Sequence, residues 1–229
     1  MKYANVLFNG KYFNNLGDNM QIIALDYVYK KMGVPENEIV YIDYHELSSY
    51  NGEYVILPIT MPMVDYCENG IAGRFSSHII PVFISLCIVK DKLSNQEIEY
   101  LKKYEPIGCR DEITMNTLRK YGIHSYIHGC ITAIMPKRTK EQAQNATKVF
   151  MVDVNSAFYP YIPEKILNSS EKRSHYRNGY LISAKKEAYD QYMEYINEAK
   201  LVITSLLHCA SPCLGGGGSC CLTKKRYFF

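Results

Sequence analysis

The chain has 229 residues, of which 47% are hydrophobic and 21% charged, and its formal net charge is +3. This length suits one large or two small domains with a real core, and the composition excludes a disordered chain. The mild charge argues against nucleic acid as a partner. The longest apolar run, Ile79 to Val89, contains Pro81 and falls short of the roughly 20 residues that a membrane helix needs.

The first residues, MKYANVLFNGKYFNN, lack an apolar stretch followed by a small-residue cleavage site, so a cytoplasmic chain with no signal peptide is expected. The eight cysteines then read as reduced thiols. Cys209-x3-Cys213 followed by the adjacent pair Cys220-Cys221 fits no standard zinc spacing, so no metal is expected. The 21 tyrosines fit either strand packing or a carbohydrate surface.

In chain order, Ala4 to Phe8 reads as a strand, followed by a loop rich in Asn and Gly. Asp18 offers an N-cap for a helix to Met32, which carries Met20, Ile23, Ala24, Tyr27 and Val28 on one face and stops at Gly33. Strands are predicted at Ile39 to Ile42, at Tyr54 to Leu57 ending at Pro58, and at Pro81 to Val89, the last of a fully buried type. Ser94 and Glu97 form a capping box that opens a helix to Tyr104. A strand at Ile107 to Cys109, a helix from Asp111 to Tyr121 closed by Gly122, and a strand at Ser125 to Ile127 follow. The polar stretch 137–148 reads as a linker or an exposed helix. A second unit begins with the strand Val149 to Val154, continues through a helix at Ala184 to Ala199, and reaches a strand at Leu201 to Thr204, after which Ser205 can cap another helix. This alternation predicts an α/β fold with mostly parallel sheets. The run Gly215 to Gly218 has the composition of a flexible linker.

Three segments stand where a strand hands over to a helix, the place where open α/β sheets bind ligands. In Asn15-Leu16-Gly17-Asp18, Gly17 permits a tight turn, and Asn15 and Asp18 either order the loop or bond to hydroxyls. In Gly108-Cys109-Arg110-Asp111, Arg110 lies at a helix N-terminus. There it either grips a phosphate or carboxylate or pairs with Asp111 or Glu112. In Thr204-Ser205-Leu206-Leu207-His208, the imidazole sits in the first turn of a helix, as an acid–base group or as a packing residue. Thr132, after Gly129-Cys130, can reach a ligand from a strand-end turn. Arg74 to His78 reads as a polar loop, and Lys172-Arg173-Ser174-His175 as a solvated face.

Taken together, NLGDNMQIIAL (Asn15 to Leu25), YEPIGCRDEITMNTLRKYGI (Tyr104 to Ile123), HGCIT (His128 to Thr132) and VITSLLHCASPCL (Val202 to Leu214) resemble the polysaccharide pyruvyl transferase family, in the same order and spacing. The resemblance implies two Rossmann-like domains in a glycosyltransferase-B-like arrangement. They would span 1–136 and 149–214, with 137–148 as the linker. It implies transfer of a pyruvyl group from phosphoenolpyruvate to a sugar or polysaccharide acceptor, which is lipid-linked in some settings, to form a ketal without a further cofactor. It places Arg110 and His208 at the donor as the catalytic pair, with Leu207, Ser205 and Thr132 beside them. Asn15, Gly17 and Asp18 would lie in a loop near the acceptor.

Two departures qualify the match. Leu206 stands where many members carry Arg, which removes an anion contact. After Leu214 the family pattern gives way to GGGGSCCLTKKRYFF, so an incomplete second domain with an atypical tail over 215–229 is expected. The competing readings are a sugar transferase of the same architecture and an inactive remnant that only binds.

Overall fold

The computed structural model of the chain describes residues 1–9, 15–61, 70–90, 92–177 and 184–223. Part of the Asn-Gly loop (10–14) and the end of the tail (224–229) lie outside the described residues. The chain forms two compact units: Met1–Leu7 with Val28–Ile131, and Phe8–Tyr27 with Thr132–Phe229.

The first unit contains a parallel sheet of β1 (Lys2–Leu7), β2 (Ile39–Asp43), β3 (Val55–Ile59) and β4 (Ile79–Phe83), in the order β2-β1-β3-β4. Alternation gives β3 one fully buried face, formed by Val55, Leu57 and Ile59. The run at Pro81 is not the fully buried strand its composition predicts. It ends at Phe83, and Ile80 and Val82 are exposed, because β4 is an outer strand of this sheet with only one covered face. Nor does Pro58 end β3. Its register partner is Val82 on β4, while β1 pairs with β3 only at Val55 and Ile56, so the missing N–H costs no ladder bond to β1.

The capping box forms as predicted at the start of α2 (Asn95–Lys103): the Ser94 hydroxyl accepts from the Glu97 N–H, and the Glu97 carboxylate accepts from the Ser94 N–H. Two short parallel strands, β5 (Ile107–Cys109) and β6 (Ser125–Ile127), flank α3 (Glu112–Lys120), which Asp111 caps through a 2.7 Å bond from the Thr114 N–H. A parallel bridge between Leu86 and Cys109 connects β5 to the segment after β4.

The helix α1 (Leu16–Met32) begins three residues earlier than expected, because Asn15 and not Asp18 caps it: Asn15 Oδ1 accepts the Gly17 N–H at 2.9 Å, and Asp18 sits in the first turn. Its residues 16–27 belong to the second unit and 28–32 to the first.

The second unit contains α4 (Lys140–Asn145), β7 (Lys148–Val152), α5 (Glu164–Ser169), β8 (Glu171–Arg173), α6 (Ala184–Glu198), β9 (Ala199–Thr204), α7 (Leu207–Gly215) and β10 (Cys220–Leu222). The polar stretch 137–148 thus holds a helix, capped by a Thr139–Gln142 box. The four strands form a parallel sheet in the order β10-β9-β7-β8. Phe150, Val152, Tyr195, Val202, Cys209 and Cys213 are buried together, so α6 and α7 close over β7 and β9. Burying each large side chain of this set contributes on the order of 1.5–3 kcal/mol.

The glycine run is not a free linker. Gly215 is the last residue of α7, and the N–H groups of Gly216, Gly217 and Gly218 return to Pro212, Leu214 and Cys213. Gly217 has φ +76°, the left-handed conformation that ends helices and that glycine adopts without strain. The Val202 N–H then donates to Ser219 O, and β10 joins the sheet beside β9.

Candidate functional site

Within the second unit, β7 continues to β8 on one side of the sheet, and β9 returns to the other side of β7. The carboxyl ends of β7 and β9 therefore form a topological switch point, where a parallel sheet opens a crevice. The residues that leave the strands there are Asp153 after β7, Ser174 and His175 after β8, Ser205 after β9 and Thr223 after β10.

Threonine and serine hydroxyls tie this edge together. Ser205 Oγ accepts the Asn155 N–H at 3.0 Å and bonds to Thr223 Oγ1 at 2.9 Å. Thr204 Oγ1 accepts the Leu206 N–H at 3.0 Å, and Thr204 O accepts the Thr223 N–H at 2.7 Å. Ser205 is therefore not the cap of α7. Leu206 holds that position, and no side chain caps the helix. The Ser205 hydroxyl, expected against a ligand, joins the ends of β7, β9 and β10 instead.

His208 occupies the first turn of α7, as predicted. Its Nδ1 lies 3.9 Å from Asp18 Oδ1, and the two side chains are 16% and 35% exposed, so both can meet a ligand from solvent. The approach depends on Gly17. A Cβ there would come within 3.0 Å of both Asn15 Oδ1 and His208 Cβ, and 3.5 Å from His175 Nδ1. The first turn of α1 thus lies so close to His208 and His175 that a side chain at position 17 would make its neighbours shift by a few tenths of an ångström.

His175 is the residue that sequence reasoning missed. KRSH reads as a solvated face, yet the structure buries His175 completely. Asp153 turns the chain inward: its carboxylate accepts the Ser174 hydroxyl and the His175 N–H, each at 2.7 Å. His175 O accepts the Leu16 N–H at 2.8 Å, and its ring stacks on Tyr195 with 6.2 Å between centroids. Among the described residues neither ring nitrogen meets a partner in hydrogen-bond geometry, although the ring interacts with the Cys209 thiol. The signal for its burial is non-local, a carboxylate at Asp153 on a different strand.

Below this layer, Cys213 donates to the Cys209 sulfur. That bond holds the Cys209 thiol below its ordinary range despite burial, and the nearby His175 imidazole acts in the same direction. Cys213 is correspondingly pushed up by its bond to Cys209 and by burial. Burial likewise keeps the Tyr195 hydroxyl protonated.

The remaining expected residues fall as follows. Leu207, at the start of α7, is half-exposed. Thr132 is completely buried, and its hydroxyl donates to Ser211 at 3.0 Å, so it fastens α7. Arg110 belongs to the first unit, just ahead of the capped N-terminus of α3, where its N–H donates to Leu86 O. Beside it the Cys87 thiol donates to Asp111 at 3.5 Å. Burial pushes that thiol up, against the opposing pull of the Arg110 guanidinium. Arg74, in the loop read as polar, stacks 3.7 Å over the Tyr44 ring and donates to Tyr44 O, which makes it a structural residue of the first unit.

Among the described residues no cluster of three or more His, Cys, Asp or Glu could hold a metal ion, and no helix is long and apolar enough to cross a membrane. The chain matches no protein-family model and no curated protein. It is similar to the crystal structure of a functionally uncharacterised protein from Klebsiella pneumoniae subsp. pneumoniae, with a TM-score of 0.54 and 16% identity over 99% of this chain and 85% of that one. At that identity the likeness shows the fold alone: this is an α/β protein built on parallel sheets.

Proposed function

We propose that the protein is a pyruvyltransferase that moves the pyruvyl group of phosphoenolpyruvate onto a sugar of a surface polysaccharide, with its two units arranged as in glycosyltransferase-B enzymes. The observation that carries this reading is the contact between Gly17-Asp18 and His208. These residues come from the first and last of the four motifs that resemble the polysaccharide pyruvyl transferase family, and they meet at the switch point of a parallel sheet.

The chemistry suits these residues. Phosphoenolpyruvate is an anion with a carboxylate and a phosphate. The start of α7 offers it a helix N-terminus without a side-chain cap and an accessible imidazole. In the transfer, one sugar hydroxyl adds to the enol carbon while the methylene carbon takes a proton. A second hydroxyl then closes the ketal as phosphate leaves with the bonding electrons. His208 supplies the proton or offsets the phosphate charge, with the Asp18 carboxylate beside it. Arg110, which the resemblance assigns to the donor, is suited to bidentate grip of a carboxylate or phosphate.

The test is phosphate release from phosphoenolpyruvate with a panel of glycan acceptors, with the ketal identified by NMR. Turnover is expected in the wild type and lost in Arg110→Ala and His208→Ala. Wild-type turnover in both variants would contradict the assigned site.

A further inference from the structure

Asp153 is the one non-glycine residue with positive φ among those described, at +46°. A side chain in that conformation is strained, and such strain persists where the surroundings impose it, frequently beside functional sites. Here it aims the carboxylate across the carboxyl edge of the sheet. Oδ1 accepts from the Ser174 hydroxyl and Oδ2 from the His175 N–H, both at 2.7 Å. Ser174 Oγ in turn accepts the Tyr176 N–H at 3.0 Å, and Tyr176 forms an antiparallel bridge with Asn15. His175 O holds the Leu16 N–H at 2.8 Å.

Asp153 therefore reaches α1 by two routes, through His175 to Leu16 and through Ser174 and Tyr176 to Asn15. Both routes end in the turn that carries Gly17 and Asp18. That turn lies against the imidazole of His175 and the Cβ of His208. His175 is kept there completely buried, its ring stacked on Tyr195 and interacting with the Cys209 thiol, with neither ring nitrogen in hydrogen-bond geometry to a described residue. We infer that Asp153 is a positioning residue: its clamp on Ser174 and His175 sets the placement of the first turn of α1, and hence of Asp18 against His208. The inference rests on the proposed role of that pair, although the clamp itself can be tested without turnover.

Three substitutions separate strain from clamping. Asp153→Gly accepts the positive φ but removes the clamp. Asp153→Ala removes the clamp and keeps the strain. Asp153→Asn tolerates the same backbone and keeps both links, because its amide oxygen accepts the His175 N–H and its NH2 donates to Ser174 Oγ.

The measurement is amide hydrogen exchange at Leu16, Gly17 and Asp18, beside the melting temperature and the kcat and KM for phosphoenolpyruvate. Exchange at these amides is expected to rise at least tenfold in Asp153→Gly and Asp153→Ala and to stay near wild type in Asp153→Asn. The kcat is expected to fall at least tenfold in the first two variants and recover in Asp153→Asn, with a smaller change in KM. Unchanged exchange at Leu16 in Asp153→Gly would overturn the inference. So would a melting temperature that falls with kcat unaltered, since that marks a merely structural residue. If the wild type turns over no phosphoenolpyruvate, the functional reading fails, and the exchange data still decide the clamp.

Discussion

Asp18 Oδ1 and His208 Nδ1 stand 3.9 Å apart in the second unit, although one belongs to the first helix of the chain and the other to the last. The pair exists because the segment Phe8–Tyr27 belongs to the same compact unit as the C-terminal residues, through contacts such as the Leu16 N–H to His175 O bond. It joins a carboxylate and an imidazole at the place where parallel sheets bind ligands.

His208→Ala is expected to lower kcat for phosphoenolpyruvate turnover by about 10²–10⁴-fold, the usual contribution of a positioned acid–base group. Asp18→Asn keeps the size and loses the charge, so it should cost less. Steady-state kinetics on both variants, with circular dichroism to verify folding, check the order.

Gly17→Ala sets two effects against each other. Alanine favours the helix by up to about 1 kcal/mol. Its Cβ would press on Asn15 Oδ1 and His208 Cβ at 3.0 Å. The melting temperature should therefore change little while kcat drops. A loss of activity no larger than the loss of folded protein would count against a role for this close approach.

Ser205→Ala should behave in the opposite way. Its hydroxyl accepts the Asn155 N–H and bonds to Thr223. Losing both should destabilise the protein by about 1–2 kcal/mol with the KM for phosphoenolpyruvate unchanged. Urea unfolding beside kinetics separates this joining role from donor binding.

In the first unit, burial alone would raise the Glu97 carboxyl, but Lys90 and the Ser94 donors outweigh it and hold the group below its ordinary value of 4.5. Because the folded value is lowered, the stabilisation is present above that ordinary value and is lost as pH falls through the folded one. Glu97→Gln should cost about 1–3 kcal/mol at pH 7, and its deficit from the wild type should shrink as the pH drops below 4.5. Urea titrations at neutral and acid pH measure both.

What could be read from the sequence was local. The Ser94–Glu97 box, the helix that starts beside Asp111 and the placement of His208 in a first helical turn depend on residues within three or four positions, and all are present. Parallel pairing followed from the alternation of strands and helices. What escaped depended on distant partners. Lys172 to His175 carries three cationic or polar residues ahead of the imidazole and reads as surface, until Asp153 and Leu16 bind the backbone of His175 and bury it. The glycine run reads as a linker by composition, whereas carbonyls within α7 and the edge of β9 order it. Ser205 looked like a cap because serine often is one, but Asn155 and Thr223 claim its hydroxyl.

The most direct test of the central claim is a thermal-unfolding titration with phosphoenolpyruvate on the wild type and on His208→Ala. A ligand that binds only the folded state raises the melting temperature by RT ln(1 + [L]/Kd), about 2.7 kcal/mol of stabilisation at a hundredfold excess over Kd. The account predicts a saturable rise in the wild type that His208→Ala abolishes. An equal rise in both proteins, or none in a wild type that unfolds in a sharp transition, would contradict it.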